Sequence, residues 1–146
     1  MSWTRKIWRK KLSGCLFELG SISFQKKAWL AKIDNYIASY SESINQLEDC
    51  GVFEYLDQFY KESFLDEVER NKIQILLAEI EKTNQFEEWD DYHSVDDLNK
   101  IWKSNLWKSV SVIAADLLLN HFKNDYISQE SDVDPVSRLK EFYNTF

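Results

Sequence analysis

Two histidines, two cysteines and two acidic constellations are the places where this sequence could do chemistry. His93 lies in the run EEWDDYHSVDD, residues 87–97, close to Asp90, Asp91, Asp96 and Asp97. An imidazole among carboxylates can hold a hard cation or move a proton. The run lacks the Asp-x-Asp-x-Asp-Gly…Glu spacing of a calcium loop, so it reads as a solvated acidic loop and no metal is expected. Asp116 and Asn120 stand four apart on one flank of an apolar helical stretch. Burial there would raise the carboxyl pKa and suit it to acid or base work, whereas the bland alternative is a pair satisfied by Trp, Tyr or backbone partners. His121, near the carboxyl end of the same stretch, reads as a favourable charge on the helix dipole. Cys15 and Cys50 lack the CxxC spacing of a zinc or redox motif and are too few for a disulfide framework, which fits a reduced compartment. Ser39, Ser41 and Ser43 suit helix boundaries better than nucleophiles. With no P-loop, dinucleotide fingerprint, GxSxG elbow or HExxH, the chain is not expected to be an enzyme or to carry a cofactor.

The elements that must position these residues are helices. The chain of 146 residues has the size of one domain, and its three Gly and one Pro are too few for the many turns of a sheet protein. Twenty-two aromatic residues supply large buried area. Trp3, Ile7, Trp8 and Leu12 share one helical face while Arg5, Lys6, Arg9 and Lys10 take the rest, the pattern of an amphipathic terminal helix packed on the body. Phe17, Leu19, Ile22 and Phe24 flank Gly20-Ser21, and a short β-hairpin is expected near residues 15–25. From Phe24 through Trp29, Ile33, Tyr36 and Ile37 the period is helical. Ser39-x-x-Glu42 has capping-box spacing for a new helix that carries Ile44 and Leu47 and ends at Gly51, with one kinked helix as the alternative. A short apolar face follows with Val52, Phe53, Leu56, Phe59 and Tyr60. Asp66-x-x-Glu69 starts another helix with Val68, Ile73, Leu76, Leu77 and Ile80 inward. Ser94-x-x-Asp97 has N-cap spacing for a central helix displaying Val95, Leu98, Trp102, Leu106, Val110, Ile113 and Leu117. Asp134-Pro135 opens a short final helix. No linker or repeat divides residues 1–146, and the expected fold is an all-α single domain.

Charge narrows the partners. Residues 1–27 carry a balance of +6, whereas the remaining 119 carry −13, for a net −7. An anionic body repels phosphates, so no nucleic acid is expected; a positively charged protein partner fits better. The stretch Val110 to Leu119 is interrupted by Ser111 and Asp116 and falls short of the ~20 apolar residues of a membrane span, so no membrane insertion is expected and the protein is assigned to the cytoplasm.

The run Ile22-Ser23-Phe24-Gln25, then Ala28-Trp29-Leu30, then Ile37-Ala38-Ser39-Tyr40-Ser41-Glu42 with the acidic turn Glu48-Asp49, resembles small helical bacterial toxin-immunity proteins of the polymorphic-toxin or contact-dependent-inhibition type. The resemblance covers the first half of the chain. It implies a binder that neutralises a cognate toxin encoded beside it, and many such toxins are cationic. The contact surface expected on that basis is Glu87, Glu88, Trp89, Asp90, Asp91, Tyr92, Asp96 and Asp97, where acids alternate with two aromatics able to serve as hot spots. The alternative for these residues is a solvated loop. The competing class of function is a helical adaptor or structural interaction protein using the basic, Trp-containing amino-terminal segment.

Overall fold

The computed structural model describes residues 4–30, 39–52, 56, 64–84, 86 and 95–127. Among the described residues there are seven helices and no strand: α1 (Arg5–Gly20), α2 (Ile22–Trp29), α3 (Tyr40–Asp49), α4 (Glu67–Glu81), α5 (Val95–Lys103), α6 (Asn105–His121) and α7 (Lys123–Ile127). The fold is mainly all-α, as the scarcity of glycine and proline predicts. The core is organised on α1 and α6, which pack together; α2, α3 and α7 lie against α1, and α4, α5 and α7 against α6. No described helix is long and apolar enough to cross a membrane.

Thr4 starts α1, its hydroxyl accepting the Ile7 N–H at 3.2 Å. Trp8, Leu12, Cys15, Leu16 and Leu19 form the buried stripe. The amphipathic pattern therefore holds in outline, with two corrections. Ile7 is 45% exposed, and Arg9, assigned by pattern to the polar side, is 4% exposed. Trp3 lies outside the described residues.

The expected hairpin near residues 15–25 is not formed. Helix α1 continues to Gly20, and Ser21 caps α2 by accepting the Phe24 N–H at 3.1 Å. Gly20 serves close approach here: a Cβ on it would stand 3.0 Å from the Ala115 nitrogen and 3.1 Å from its Cα, so the missing side chain lets α1 press on the backbone of α6. The break orphans carbonyls at the end of α1. Gln25, fully buried, supplies donors to two of them, Glu18 O at 2.8 Å and Leu19 O at 3.0 Å, and its Oε1 accepts the Trp107 indole N–H at 2.8 Å. One amide thus holds the α1–α2 corner and ties it to α6.

The capping predictions for α3 and α4 are met. Ser39 Oγ accepts the Glu42 N–H at 3.0 Å, and α3 ends through Cys50 into Gly51 at φ 70°. Asp66 and Glu69 form the full capping box: Glu69 N–H donates to Asp66 at 2.7 Å, and Asp66 N–H to Glu69 at 3.0 Å. Along α4, Ile73, Leu76 and Ile80 are buried and Leu77 partly so, but Val68 is exposed and does not belong to the core.

The central helix expected from Val95 to Leu117 is two helices. Ser104 takes an extended conformation and its hydroxyl accepts the Leu106 N–H at 3.2 Å, starting α6 afresh. On an unbroken helix Trp102 and Trp107 would point about 140° apart. The break lets both reach Trp29, at ring separations of 5.6 Å and 5.8 Å. Leu98, Trp102, Val110 and Leu117 are buried as expected, joined by Trp107, Ala114 and Leu118, while Val95 and Val112 are exposed. The expected helical positions Ile33, Tyr36 and Ile37, the apolar residues Phe53, Phe59 and Tyr60, the N-cap Ser94 and the helix opening at Asp134-Pro135 lie outside the described residues.

Candidate protein-binding site

Of the predicted contact residues, Asp96 and Asp97 fall in the first turn of α5, where carboxylates suit the positive end of the helix dipole. Asp96 is exposed, and Asp97 is paired with Lys100 at 3.2 Å. Glu87, Glu88, Trp89, Asp90, Asp91 and Tyr92, with neighbouring His93, lie outside the described residues.

The structure does define how the acidic segment is attached. Phe86, immediately before it, is fully buried and meets Tyr40 edge-on at 5.9 Å. Tyr40 packs on Trp107 at 5.4 Å, Trp107 on Trp29 at 5.8 Å, and Trp29 stacks on Trp102 of α5 at 5.6 Å. The Tyr40 hydroxyl donates to Thr83 O at 2.9 Å, and the Thr83 hydroxyl donates to Ile80 O at 2.6 Å. Both ends of the segment are therefore bolted to one cluster of five rings, which fixes their separation. Lys26 lies over the Trp102 ring at 5.8 Å, on the outer side of this cluster.

A groove of about 530 Å³ lies between α3 and α4, with Asn84 also on its lining. Ile44, Leu47, Leu77 and Ile80 supply apolar walls; Glu48 and Glu81, both exposed, stand on the rim. None of the described lining residues is basic. Apolar walls offer area to bury, and rim carboxylates steer a cationic partner toward it. Sequence reasoning placed the four apolar residues simply in the core. No signal in the sequence marks this groove, because pattern alone does not bring α3 and α4 together.

The residues singled out for acid–base work are arranged otherwise. Asp116 accepts from Lys72 Nζ at 2.8 Å and from the Asn120 amide at 2.6 Å, with its side chain 40% exposed. The Lys72 hydrogen bond chiefly holds the carboxyl below its ordinary pKa; partial burial opposes this, and Asn120 and the charges of Lys72 and His121 reinforce it. The pKa moves opposite to the rise that burial would give, and the Asp116–Asn120 pair is satisfied by Lys72 instead of the expected Trp, Tyr or backbone partners. His121 Nε2 lies 3.0 Å from Lys72 Nζ. His121 stands in the last turn of α6, where a cationic side chain suits the helix dipole. Among the described residues no group of His, Cys, Asp and Glu is arranged to hold a metal.

No protein-family model, curated protein or solved structure matches the chain.

Proposed function

We propose that this chain is a cytoplasmic immunity protein that binds and neutralises a cognate bacterial toxin by protein–protein contact, without catalysis. The observation that carries the reading is the acid-rimmed apolar groove between α3 and α4. A body of charge −13 outside residues 1–27, and the resemblance of the first half to toxin-immunity proteins, point the same way. A cationic toxin would be drawn to the carboxylates, and its affinity would come from apolar and aromatic contacts that the acids surround.

The test is co-expression with the product of the adjacent gene, followed by binding measurements on the purified pair. Rescue of growth, and association that slows as salt is raised, are expected. The double reversal Glu48→Lys with Glu81→Lys, and separately Asp90→Lys with Asp91→Lys, should each slow association. Absence of rescue together with salt-independent binding would refute the reading.

The adaptor reading keeps one observation in its favour: Arg5, Lys6 and Lys11 are exposed along α1. The inward side of that helix carries Trp8, Arg9 and Leu12, so removing residues 1–12 would dismantle the core. Neutralising Arg5, Lys6 and Lys11 to Gln is the discriminating change: an adaptor working through this surface loses its partner, whereas toxin binding persists.

A further inference from the structure

The chain's only two cysteines, 35 positions apart in sequence, are brought together by the packing of α1 on α3. Cys15 and Cys50 are 8% and 5% exposed and line one surface groove of about 300 Å³. Cys50 is pinned at the end of α3: its N–H donates to Gln46 O at 3.0 Å, its carbonyl accepts the Trp8 indole N–H at 2.9 Å, and its thiol donates to Leu47 O at 3.2 Å. Gly14 lines the same groove, and nothing stands within 4 Å of where its Cβ would be. The mouth beside Cys15 therefore admits a small molecule.

We propose that Cys15 and Cys50 form a dithiol that small hydroperoxides oxidise to an intrachain disulfide joining α1 to α3.

The roles of the two sulfurs differ. A hydrogen bond from Cys15 favours the thiolate of Cys50; burial opposes it, the backbone N–H groups of Val52 and Cys50 add support, and the charge of Asp49 resists, with the balance lowering the pKa. The Cys15 thiol is pushed up by that same hydrogen bond, by burial and by the charges of Cys50 and Glu18, with Lys11 acting the other way. Cys50 is accordingly the attacking sulfur and Cys15 the resolving one. In the first step the Cys50 thiolate takes the terminal oxygen of the peroxide, the O–O bond breaks, and a proton from water completes the leaving hydroxyl compound, leaving Cys50 as a sulfenic acid. In the second the Cys15 sulfur attacks that sulfur, its proton leaves with the hydroxyl as water, and the S–S bond forms. With hydrogen peroxide the balance is two thiols plus peroxide to one disulfide plus two waters, the two electrons passing from sulfur to the O–O bond. The bond would fix α3, whose Gln46, Asp49 and Cys50 line this groove while Leu47 and Glu48 line the one against α4. The chemistry stands independently of any toxin.

The experiment is hydrogen peroxide titration of the reduced full-length chain, with thiols counted after denaturation and non-reduced peptides mapped by mass spectrometry. Both thiols should disappear together, leaving a Cys15–Cys50 linked peptide two hydrogens lighter than its parts, which dithiothreitol restores. With a 1,3-dione trap, Cys15→Ser should give a stable adduct at Cys50, and Cys50→Ser should give no adduct at Cys15. The proposal is overturned by Cys50 advancing to sulfinic acid while Cys15 stays free, by disulfides found only between chains, or by both thiols surviving peroxide that oxidises an unstructured cysteine peptide. The wild-type peptide map decides even if a serine variant fails to fold.

Discussion

Arg9 and Glu69, 60 residues apart in sequence, meet as a two-pronged buried pair: Nη1 donates to Oε1 at 2.9 Å and Nη2 to Oε2 at 2.7 Å. The remaining donors of the same guanidinium go to Phe64 O at 2.8 Å, His121 O at 3.0 Å and Asp125 at 3.2 Å, and its plane lies 4.2 Å from the Phe122 ring centre. Burial works against the charge, but the hydrogen bond to Glu69, the charges of Asp125 and Glu69 and the hydrogen bond to Asp125 outweigh it, and the Arg9 pKa is raised. Glu69 also closes the capping box of α4. One carboxylate therefore starts α4 and joins it to α1, while the guanidinium reaches α6 and α7.

Removing one half of this pair should cost more than any surface charge in the molecule. Glu69→Ala leaves a buried cation facing one remaining carboxylate and removes the reciprocal half of the capping box, for an expected loss of about 3–5 kcal/mol. Asp125→Ala should cost less, because its bonds are longer and its side chain is 19% exposed. Urea unfolding of the two variants gives the order; a Glu69→Ala loss under about 1 kcal/mol would mean the pair is solvated.

Three buried tryptophans should respond unequally to Phe. The Trp8 indole N–H serves Cys50 O at 2.9 Å and that of Trp107 serves Gln25 at 2.8 Å, whereas the buried Trp102 N–H has no hydrogen-bond partner among the described residues. Trp8→Phe and Trp107→Phe leave an acceptor unpaired, adding about 1–3 kcal/mol to the lost packing. Trp102→Phe sheds a donor that was already unsatisfied. Its unfolding free energy should fall least of the three, and an equal or larger fall would contradict this account.

Local signals were legible in the sequence, and relations between distant segments were not. Ser39 and Asp66 announce their helices because a cap and its N3 partner are three residues apart, and Gly51 marks a helix end through its own φ. The hairpin expected at Gly20-Ser21 and the single helix expected from Val95 to Leu117 fail for the opposite reason: Gly20 answers to Ala115, and the break at Ser104 to the shared contact of Trp102 and Trp107 with Trp29, which a periodicity cannot express. Arg9 was placed on the polar side because its partners Glu69 and Asp125 lie far along the chain. The candidate site divides likewise. Its acids were visible as a run, but the ring cluster that anchors that run, and the groove walls contributed by α3 and α4, exist only after folding.

The Lys72–Asp116 contact should weaken only in strong acid. Asp116 has a depressed pKa in the folded chain, so its contribution is complete above the unfolded carboxylate value of 3.8 and fades as pH falls through the lower folded value. With side chains 35% and 40% exposed, solvent screening limits the coupling to about 0.2–1 kcal/mol. A double-mutant cycle with Lys72→Met and Asp116→Asn should return the full coupling above the unfolded carboxylate value of 3.8, and a coupling that shrinks progressively as the pH is taken below it. A coupling that instead grew on acidification would show the carboxyl to be protonated and donating.

Two glycines of α1 should give opposite signs when changed to alanine. Gly14 stands inside the helix with open space where its Cβ would go, so Gly14→Ala lowers the backbone entropy lost on folding and should stabilise by about 0.5–1 kcal/mol. Gly20→Ala gains the same propensity, but the new carbon would sit 3.0 Å from the backbone nitrogen of Ala115 and 3.3 Å from its Cβ. Backbone cannot step aside as a flexible side chain would, so α1 and α6 must separate along the most extensive interface of the core, at about 1–3 kcal/mol. Thermal unfolding of the two variants decides it: Gly14→Ala should melt above the parent protein and Gly20→Ala below it. Because both substitutions add the same methyl to the same helix, a common direction of change would show that propensity outweighs the contact with Ala115.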